Sequence, residues 1–160
     1  MTEKIQPHSL LKDPGHLLSM GFGSGLAPVA SGTFGTLAAI PLYMVVHYYS
    51  VTAFVILTLV SIVAGIYLCD RTTKALGVND HSAIVWDEFA GFFVTMLWVP
   101  MSWSTVIAGF FLFRLFDIVK PWPASYVDKK VHSGLGVMMD DVIAGLYASA
   151  VLYMMNRWLF

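Results

Sequence analysis

Five carboxylates beside long apolar segments are the side chains of this chain best suited to do chemistry. They occur in three motifs, DEFAG at 87–91, FRLFDIVKPWP at 113–123 and GLGVMMDDVIAG at 134–145, and they are Asp87, Glu88, Asp117, Asp140 and Asp141. Adjacent carboxylates repel unless a cation neutralises them, and carboxylate oxygen is the ligand type that Mg2+ prefers. The five histidines are scattered, at residues 8, 16, 47, 81 and 132, and show no zinc-ligand spacing. The pattern therefore favours a magnesium site that uses these five carboxylates.

A simpler interpretation exists for two of these residues. A single acidic residue at the start of a helix more often caps the helix than binds a metal, because its carboxylate accepts hydrogen bonds from the first-turn amides and favours the positive end of the helix dipole. Asp87 and Asp140 would each fit that role. Capping does not account for the whole set, so we expect the five carboxylates to act together as catalytic groups and metal ligands.

Two cations lie beside Asp117 in the second motif. Arg114 is three residues before Asp117, so the two side chains share a helix face. Pro121 is expected to end that helix and leave Lys120 free. Both cations are candidates for binding a substrate phosphate. The alternative is a salt-bridged helix end with cations that extend towards water.

A glycine-rich stretch, GFGSGLAPVASGTFGT at 21–36, precedes the first apolar segment. Such a stretch allows backbone amides to approach an anion at a helix start. Its last part supplies our candidate phosphate-binding residues, which are Gly32, Thr33, Gly35 and Thr36. The stretch lacks the Gly-Lys-Ser/Thr end of a nucleotide-binding loop. Its glycines would equally suit tight turns and close packing.

The composition indicates a membrane protein. Of the 160 residues, 58% are hydrophobic and 12% are charged, whereas a soluble domain carries about 25% charged residues. The formal net charge of −1 gives no electrostatic footprint for nucleic acid. The single cysteine excludes an internal disulfide. We expect one domain over 1–160, with a polar segment at 1–16 and no cleaved signal peptide.

The elements that position the motifs are predicted to be helices, so the fold class is all-α, a polytopic membrane bundle of about four to five helices. The predicted helices are 36–49, 51–69, 87–99, 104–119 and 141–158. The first is short and contains Pro41, so it would be tilted, kinked or re-entrant, and a tight turn at Pro100 separates the third from the fourth.

The charges outside these helices predict their orientation. If the N-terminus, with Lys4 and Lys12, is cytoplasmic, the positively charged loops 70–86 and 120–140 are cytoplasmic as well. The five carboxylates then open or close helices on that same face. Four tryptophans fall near predicted helix ends, as interfacial anchors should, and they are Trp98, Trp103, Trp122 and Trp158.

Taken together, the three motifs and the opening GFGSGLAPVASGTFGTLAAIP at 21–41 resemble the phosphatidylglycerophosphatase A family. The resemblance covers about residues 15–153, with one departure, Ser31, where the family has the proline of a Pro-Gly-Thr triplet. It implies an all-helical, Mg2+-dependent lipid phosphatase of the bacterial inner membrane, with its active site facing the cytoplasm. The implied substrate is phosphatidylglycerophosphate and the products are phosphatidylglycerol and phosphate. The family's acidic positions correspond to Asp87, Glu88, Asp117, Asp140 and Asp141.

Two other classes remain as alternatives. A CDP-alcohol-type membrane phosphotransferase also gathers aspartates around Mg2+, but its Asp-Gly-x2-Ala-Arg string is absent. A non-enzymatic cation carrier would place carboxylates at mid-membrane, and here they lie near predicted helix ends. The sequence leaves open the number of metal ions, attack by water or by an aspartate, the oligomeric state and the selectivity among phosphorylated lipids.

Overall fold

The computed structural model describes residues 6–78, 81–131 and 133–159. Lys4 and His132, which entered the predictions above, lie outside these ranges. All regular structure in the described residues is helical, which confirms the all-α prediction. The helices are α1 (Pro7–Leu10), α2 (Pro14–Ser19), a 3-10 helix (Gly21–Leu26), α3 (Ser31–Tyr49), α4 (Val51–Leu76), α5 (Trp86–Thr95), α6 (Trp103–Val119), α7 (Ala124–Lys130) and α8 (Gly134–Trp158).

Two helix ends follow the sequence signals closely. Ser50 precedes α4, and its side chain accepts a 3.1 Å hydrogen bond from the Ala53 amide, which satisfies one of the unpaired first-turn donors. Helix α6 ends at Val119, two residues before Pro121. A capping box between Ser102 and Thr105 starts α6 one residue before its predicted beginning.

Several predicted boundaries were wrong. Helix α4 continues past residue 69 to Leu76, and α5 ends at Thr95 rather than near residue 99. Helix α3 begins at Ser31, so the last glycines of the glycine-rich stretch lie inside a helix rather than before one. Helix α8 begins at Gly134, so the paired aspartates lie in its second turn and do not open it.

Helix α5 lies at the centre of the fold and packs against α3, α4 and α8. Nearly all of its side chains are buried, and Phe89, Phe92 and Phe93 have no exposed surface. Glycines allow α5 and α8 to cross at close range, because a β-carbon at Gly145 would collide with the carbonyl oxygen of Gly91. This close crossing brings the first turn of α5 next to the second turn of α8.

The outer surface of the fold is apolar along its long helices. Helices α4 and α8 are long and apolar enough to cross a membrane, by length and composition. Side chains such as Val63 and Tyr67 on α4, and Phe111 on α6, are largely exposed. Large exposed apolar surface is unusual on a soluble monomer and indicates contact with lipid or a partner. The four tryptophans predicted near helix ends do lie near them, and all four are exposed.

Candidate metal and phosphate site

Three acidic side chains meet where α5 and α8 cross. Asp87 and Glu88 lie in the first turn of α5, and Asp141 lies in the second turn of α8. One carboxylate oxygen from each lies within 4.8 Å of the others. Asp87 and Asp141 are buried, and Glu88 is almost buried, with 13% of its side chain exposed. We call these three residues the carboxylate triad.

The triad has an unmet need for positive charge or hydrogen-bond donors. Among the described residues, Asp87 Oδ1, Glu88 Oε2 and Asp141 Oδ2 are buried without a hydrogen-bond partner. Buried polar atoms are nearly always partnered, and a buried carboxylate without a partner is costly. Three clustered carboxylates, each with an unpartnered buried oxygen, form an all-oxygen donor set suited to a hard cation such as Mg2+. The residues present therefore fit the metal that the sequence suggests.

Neither Asp87 nor Asp140 is the N-cap residue of its helix, although Asp87 lies in the first turn of α5, where the helix dipole favours a carboxylate. The residue that precedes α5 is Val85 and the one that precedes α8 is Ser133. Asp87 lies inside α5, and Asp140 lies six residues into α8. The Asp140 carboxylate instead accepts a 3.1 Å hydrogen bond from the amide of Asp141. These two side chains are therefore available for interactions other than capping.

Arg114 joins a fourth carboxylate to the triad. Its Nη1 atom lies 2.7 Å from Asp117 Oδ2 and 3.9 Å from Glu88 Oε1. The i,i+3 pairing with Asp117 confirms that the two residues share one face of α6. Arg114 Nε is buried without a hydrogen-bond partner among the described residues, so this guanidinium retains donor capacity beside the triad. Asp117 also repels the Asp141 carboxylate electrostatically, which strengthens the need for a cation.

The fifth carboxylate, Asp140, is turned towards a different cation. Lys120 Nζ lies 2.5 Å from Asp140 Oδ2 and 2.7 Å from Asp128 Oδ1. The structure therefore does not leave Lys120 free, although the helix does end before it as predicted. Partial burial alone would lower the pKa of Lys120, but the hydrogen bonds and negative charges of Asp128 and Asp140 outweigh that effect and raise it. Lys120 is held as a cation at the edge of the site.

Asp128 is the residue that the sequence reasoning missed. It lies on the short helix α7, eight residues after Lys120, and reaches back to it across the turn formed by residues 121–123. The sequence does show that Asp128 is the one acidic residue in a segment that follows Pro121 and Pro123 and ends in two lysines. Sequence spacing alone does not show that this segment folds back on Lys120.

The glycine-rich stretch reaches the site through Gly32, in the first turn of α3. A β-carbon there would collide with Glu88 Oε1 and lie 3.0 Å from Arg114 Nη1. The amides of Thr33 and Phe34 both donate to the carbonyl of Ala30, so the amides that remain for an anion at this helix start are those of Ser31 and Gly32.

The other candidate phosphate-binding residues of this stretch have packing contacts. A β-carbon at Gly35 would lie 2.7 Å from the Cβ of Val85, so this glycine allows close contact with the segment that leads into α5. The hydroxyl of Thr36 is buried and donates to the carbonyl of Gly32 at 2.9 Å. Thr33 is half-buried. Of the four candidates, Gly32 is the one that contacts the triad directly.

Known proteins similar to this chain are lipid phosphatases by name. The family model described as Phosphatidylglycerophosphatase A matches residues 17–156. The Phosphatidylglycerophosphatase A of Escherichia coli K12 is 43% identical over 92% of this chain and 86% of its own length. That of Haemophilus influenzae is 45% identical over 99% of both chains.

A third relative, from Bacteroides thetaiotaomicron, is 37% identical over 89% of this chain and 92% of its own length. It is named for a proposed phosphatidylinositol-3-phosphatase activity. No solved structure matches the chain significantly.

Proposed function

Because this chain belongs to the phosphatidylglycerophosphatase A family of phosphatases, we propose that it hydrolyses phosphatidylglycerophosphate to phosphatidylglycerol and inorganic phosphate, with Mg2+ as its metal. Family membership supports the substrate. The observation that supports the metal is the carboxylate triad, in which three clustered side chains each have a buried oxygen without a partner among the described residues. A phosphotransferase that uses a CDP-lipid and a non-enzymatic cation carrier both fit the family assignment poorly.

Asp87, Glu88 and Asp141 would hold the metal. When bound, Mg2+ supplies charge stabilisation for phosphoryl transfer and polarises the phosphoryl oxygens. The remaining work falls to the chain's own side chains. Arg114 has spare donor capacity beside Glu88 and would hold a non-bridging phosphate oxygen, which neutralises charge as it develops on the transferred group.

Lys120 and the start of α3 would complete the phosphate pocket. Lys120 carries a firmly held positive charge next to Asp140, and it would position the substrate phosphate from the edge of the site. The amides of Ser31 and Gly32 supply two donors at the positive end of α3. Together with Arg114, these groups bind and orient the phosphate against the triad.

Two routes for breaking the phosphorus–oxygen bond are compatible with these residues. In the first, a water molecule attacks phosphorus, a carboxylate of the triad accepts the water proton, and the same carboxyl group returns that proton to the lipid alkoxide as it leaves. In the second, a carboxylate attacks phosphorus and releases the lipid alcohol, and water then hydrolyses the acyl phosphate. A labelled phosphoprotein that disappears on substitution of one aspartate by asparagine would establish the second route.

We place the site at the cytoplasmic face of a bacterial inner membrane, in a multi-pass bundle. Two helices long enough to cross the membrane support this placement, together with the apolar exterior and the cations at the ends of α4 and α7. The lipid tails of the substrate would remain in the bilayer while its headgroup reaches the triad. The carboxylates at the ends of α5 and α6 would then lie at the depth of the headgroups, where such groups are least costly.

The deciding experiment measures phosphate release by the full-length protein in detergent, with Mg2+ or with EDTA. Phosphatidylglycerophosphate is compared with phosphatidic acid and with phosphatidylinositol 3-phosphate, the lipid suggested by the Bacteroides relative. We expect release that requires Mg2+, favours phosphatidylglycerophosphate and is lost in Asp141→Asn. Release that withstands EDTA would refute the metal assignment. A preference for another lipid would refute the substrate assignment.

A further inference from the structure

Helix α7 has two faces of different chemistry. Its inner face carries Ala124, which is fully buried, and Asp128, which lies four residues after Ala124 and pairs with Lys120. Its outer face carries Tyr126, Lys129 and Lys130, which are three and four residues apart and therefore lie on one side of the helix. The helix is thus fixed to the body of the protein on one side and presents an aromatic and two cations on the other.

Trp122 extends this outer face at the start of α7. Its side chain is 76% exposed, and that of Tyr126 is 57% exposed. The turn that carries Trp122 is anchored to α8, because the hydroxyl of Tyr147 donates to the Trp122 carbonyl at 2.9 Å. The backbone of this turn is therefore fixed to the body of the protein, while the aromatic side chain is exposed and does not contribute to the buried core.

The two lysines are unpaired within the described part of the chain. The ion pairs there involve Arg71, Lys74, Arg114 and Lys120, and neither Lys129 nor Lys130 takes part in one. Tryptophan and tyrosine favour the headgroup level of a bilayer. Adjacent exposed lysines are attracted to a surface of anionic lipid. A surface that combines both is complementary to anionic phospholipid headgroups.

We propose that Trp122, Tyr126, Lys129 and Lys130 form a binding surface for anionic phospholipid headgroups. The surface is joined to the phosphate site through Asp128, Lys120 and Asp140, so it would concentrate anionic lipid at the entrance to that site. The proposal rests on the membrane placement argued above and does not depend on the phosphatase activity.

The test reads lipid contact directly by tryptophan fluorescence. Full-length protein is placed in lipid nanodiscs of phosphatidylcholine and phosphatidylserine, in which only one of the two lipids carries brominated chains that quench tryptophan. The difference in fluorescence between the wild-type protein and Trp122→Phe gives the contribution of Trp122. We expect brominated phosphatidylserine to quench Trp122 more strongly than brominated phosphatidylcholine at equal fractions, and added salt to weaken this preference.

A matched pair of double variants assigns the preference to the lysines. The double variant Lys129→Gln and Lys130→Gln should reduce the preference for phosphatidylserine about fivefold or more, because each lysine near an anionic surface contributes about fivefold in affinity. The double variant Lys12→Gln and Lys74→Gln removes the same charge from two other exposed lysines and should leave the preference for phosphatidylserine unchanged. Equal quenching by the two lipids in the wild-type protein would overturn the proposal, and so would an equal loss in both double variants.

The result is independent of the catalytic assay. Lipid preference without phosphate release would support this surface and refute the proposed activity. Phosphate release without lipid preference would support the proposed activity and refute this surface.

Discussion

Gly32 lies directly against the carboxylate of Glu88, and a larger side chain at residue 32 would force that carboxylate to move. A β-carbon at residue 32 would collide with Glu88 Oε1 and would also approach the guanidinium of Arg114. This contact joins the start of α3 to the triad on α5 and α8. It gives a physical reason for the glycine that is independent of backbone conformation.

We therefore expect Gly32→Ala to lower the turnover number by about 10- to 100-fold, since displacing a positioned catalytic group by about 1 Å has effects of that size. The measurement is phosphate release per folded protein. Gly109→Ala is the control, because Gly109 lies in the first half of α6, and the nearest obstacle to a β-carbon there is the flexible side chain of Met96. It should retain its activity. Wild-type turnover in Gly32→Ala would show that Glu88 and Arg114 do not need their observed positions.

Asp140 and Asp141 are neighbours in sequence with different surroundings, and this difference gives a second prediction. Asp141→Asn removes a triad oxygen and should lower activity by about 100-fold or more, because a metal contributes several kcal/mol to the transition state. It should also raise the Mg2+ concentration needed for half-maximal activity. Asp140→Asn leaves the triad intact and should have the smaller effect.

The comparison uses Mg2+ titrations of both variants, with calorimetric binding of Mg2+ in the absence of substrate as a second readout. Asp70→Asn, which removes another carboxylate near the end of α4, serves as the control for loss of negative charge. Equal losses of Mg2+ affinity in Asp140→Asn and Asp141→Asn would contradict the assignment of the metal to the triad.

The sequence was sufficient to predict the helical class and the residue types of the site, because both follow from local patterns. Segments without charged residues indicated the long helices, the start predicted at residue 51 was correct, and Pro121 correctly marked the end of α6. The sequence was also sufficient to select the acidic residues, since so few charges occur near the apolar segments. Their convergence depends on the close crossing of α5 and α8, which the glycines at 91 and 145 permit.

The sequence predicted that the last helix begins at residue 141, whereas α8 begins at Gly134. A β-carbon at Gly134 would meet the backbone of α4 at Asp70, and one at Gly136 would meet the carbonyl of Val131. Gly134 allows close packing against a segment far away in sequence, which no local pattern shows. The pairing of Lys120 with Asp128 was missed for the same reason, because it depends on where α7 packs.

Asp128 gives a third prediction. Removing its charge with Asp128→Asn leaves Lys120 with Asp140 as its described partner, so the ammonium group shifts towards Asp140 and away from an incoming phosphate. We expect KM for the lipid to rise by about two- to fivefold with little change in turnover, because a partly exposed ion pair contributes up to about 1 kcal/mol. Steady-state kinetics in mixed micelles provide the measurement.

Asp128→Glu keeps the charge and should restore most of the affinity. A purely structural role for Asp128 would instead lower the melting temperature of both variants and leave the KM of the folded fraction unchanged. That outcome would refute a role for Asp128 in holding Lys120 for substrate.

A fourth prediction concerns pH and the attachment of the N-terminal helices to α4. Arg71 forms two hydrogen bonds of 2.8 Å with the carboxylate of Asp13, and this pairing lowers the pKa of Asp13 to about 2. An unfolded aspartate titrates near about 3.9. Because the folded pKa is the lower one, the pairing stabilises the docked segment fully above about pH 4. Its contribution is lost as the pH falls towards 2.

Asp13→Asn tests the charge alone, because asparagine is as good a helix cap as aspartate and Asp13 also caps α2 through the amides of Gly15 and His16. We expect α2 amides to exchange hydrogen faster in the variant than in the wild-type protein above about pH 4. The two proteins should converge as the pH approaches 2. Arg71→Gln removes the partner instead and should reproduce the behaviour of Asp13→Asn. The ratio of the α2 exchange rates of each variant and the wild-type protein should therefore change with pH. A ratio that is the same at every pH would show that this ion pair does not hold the N-terminal segment.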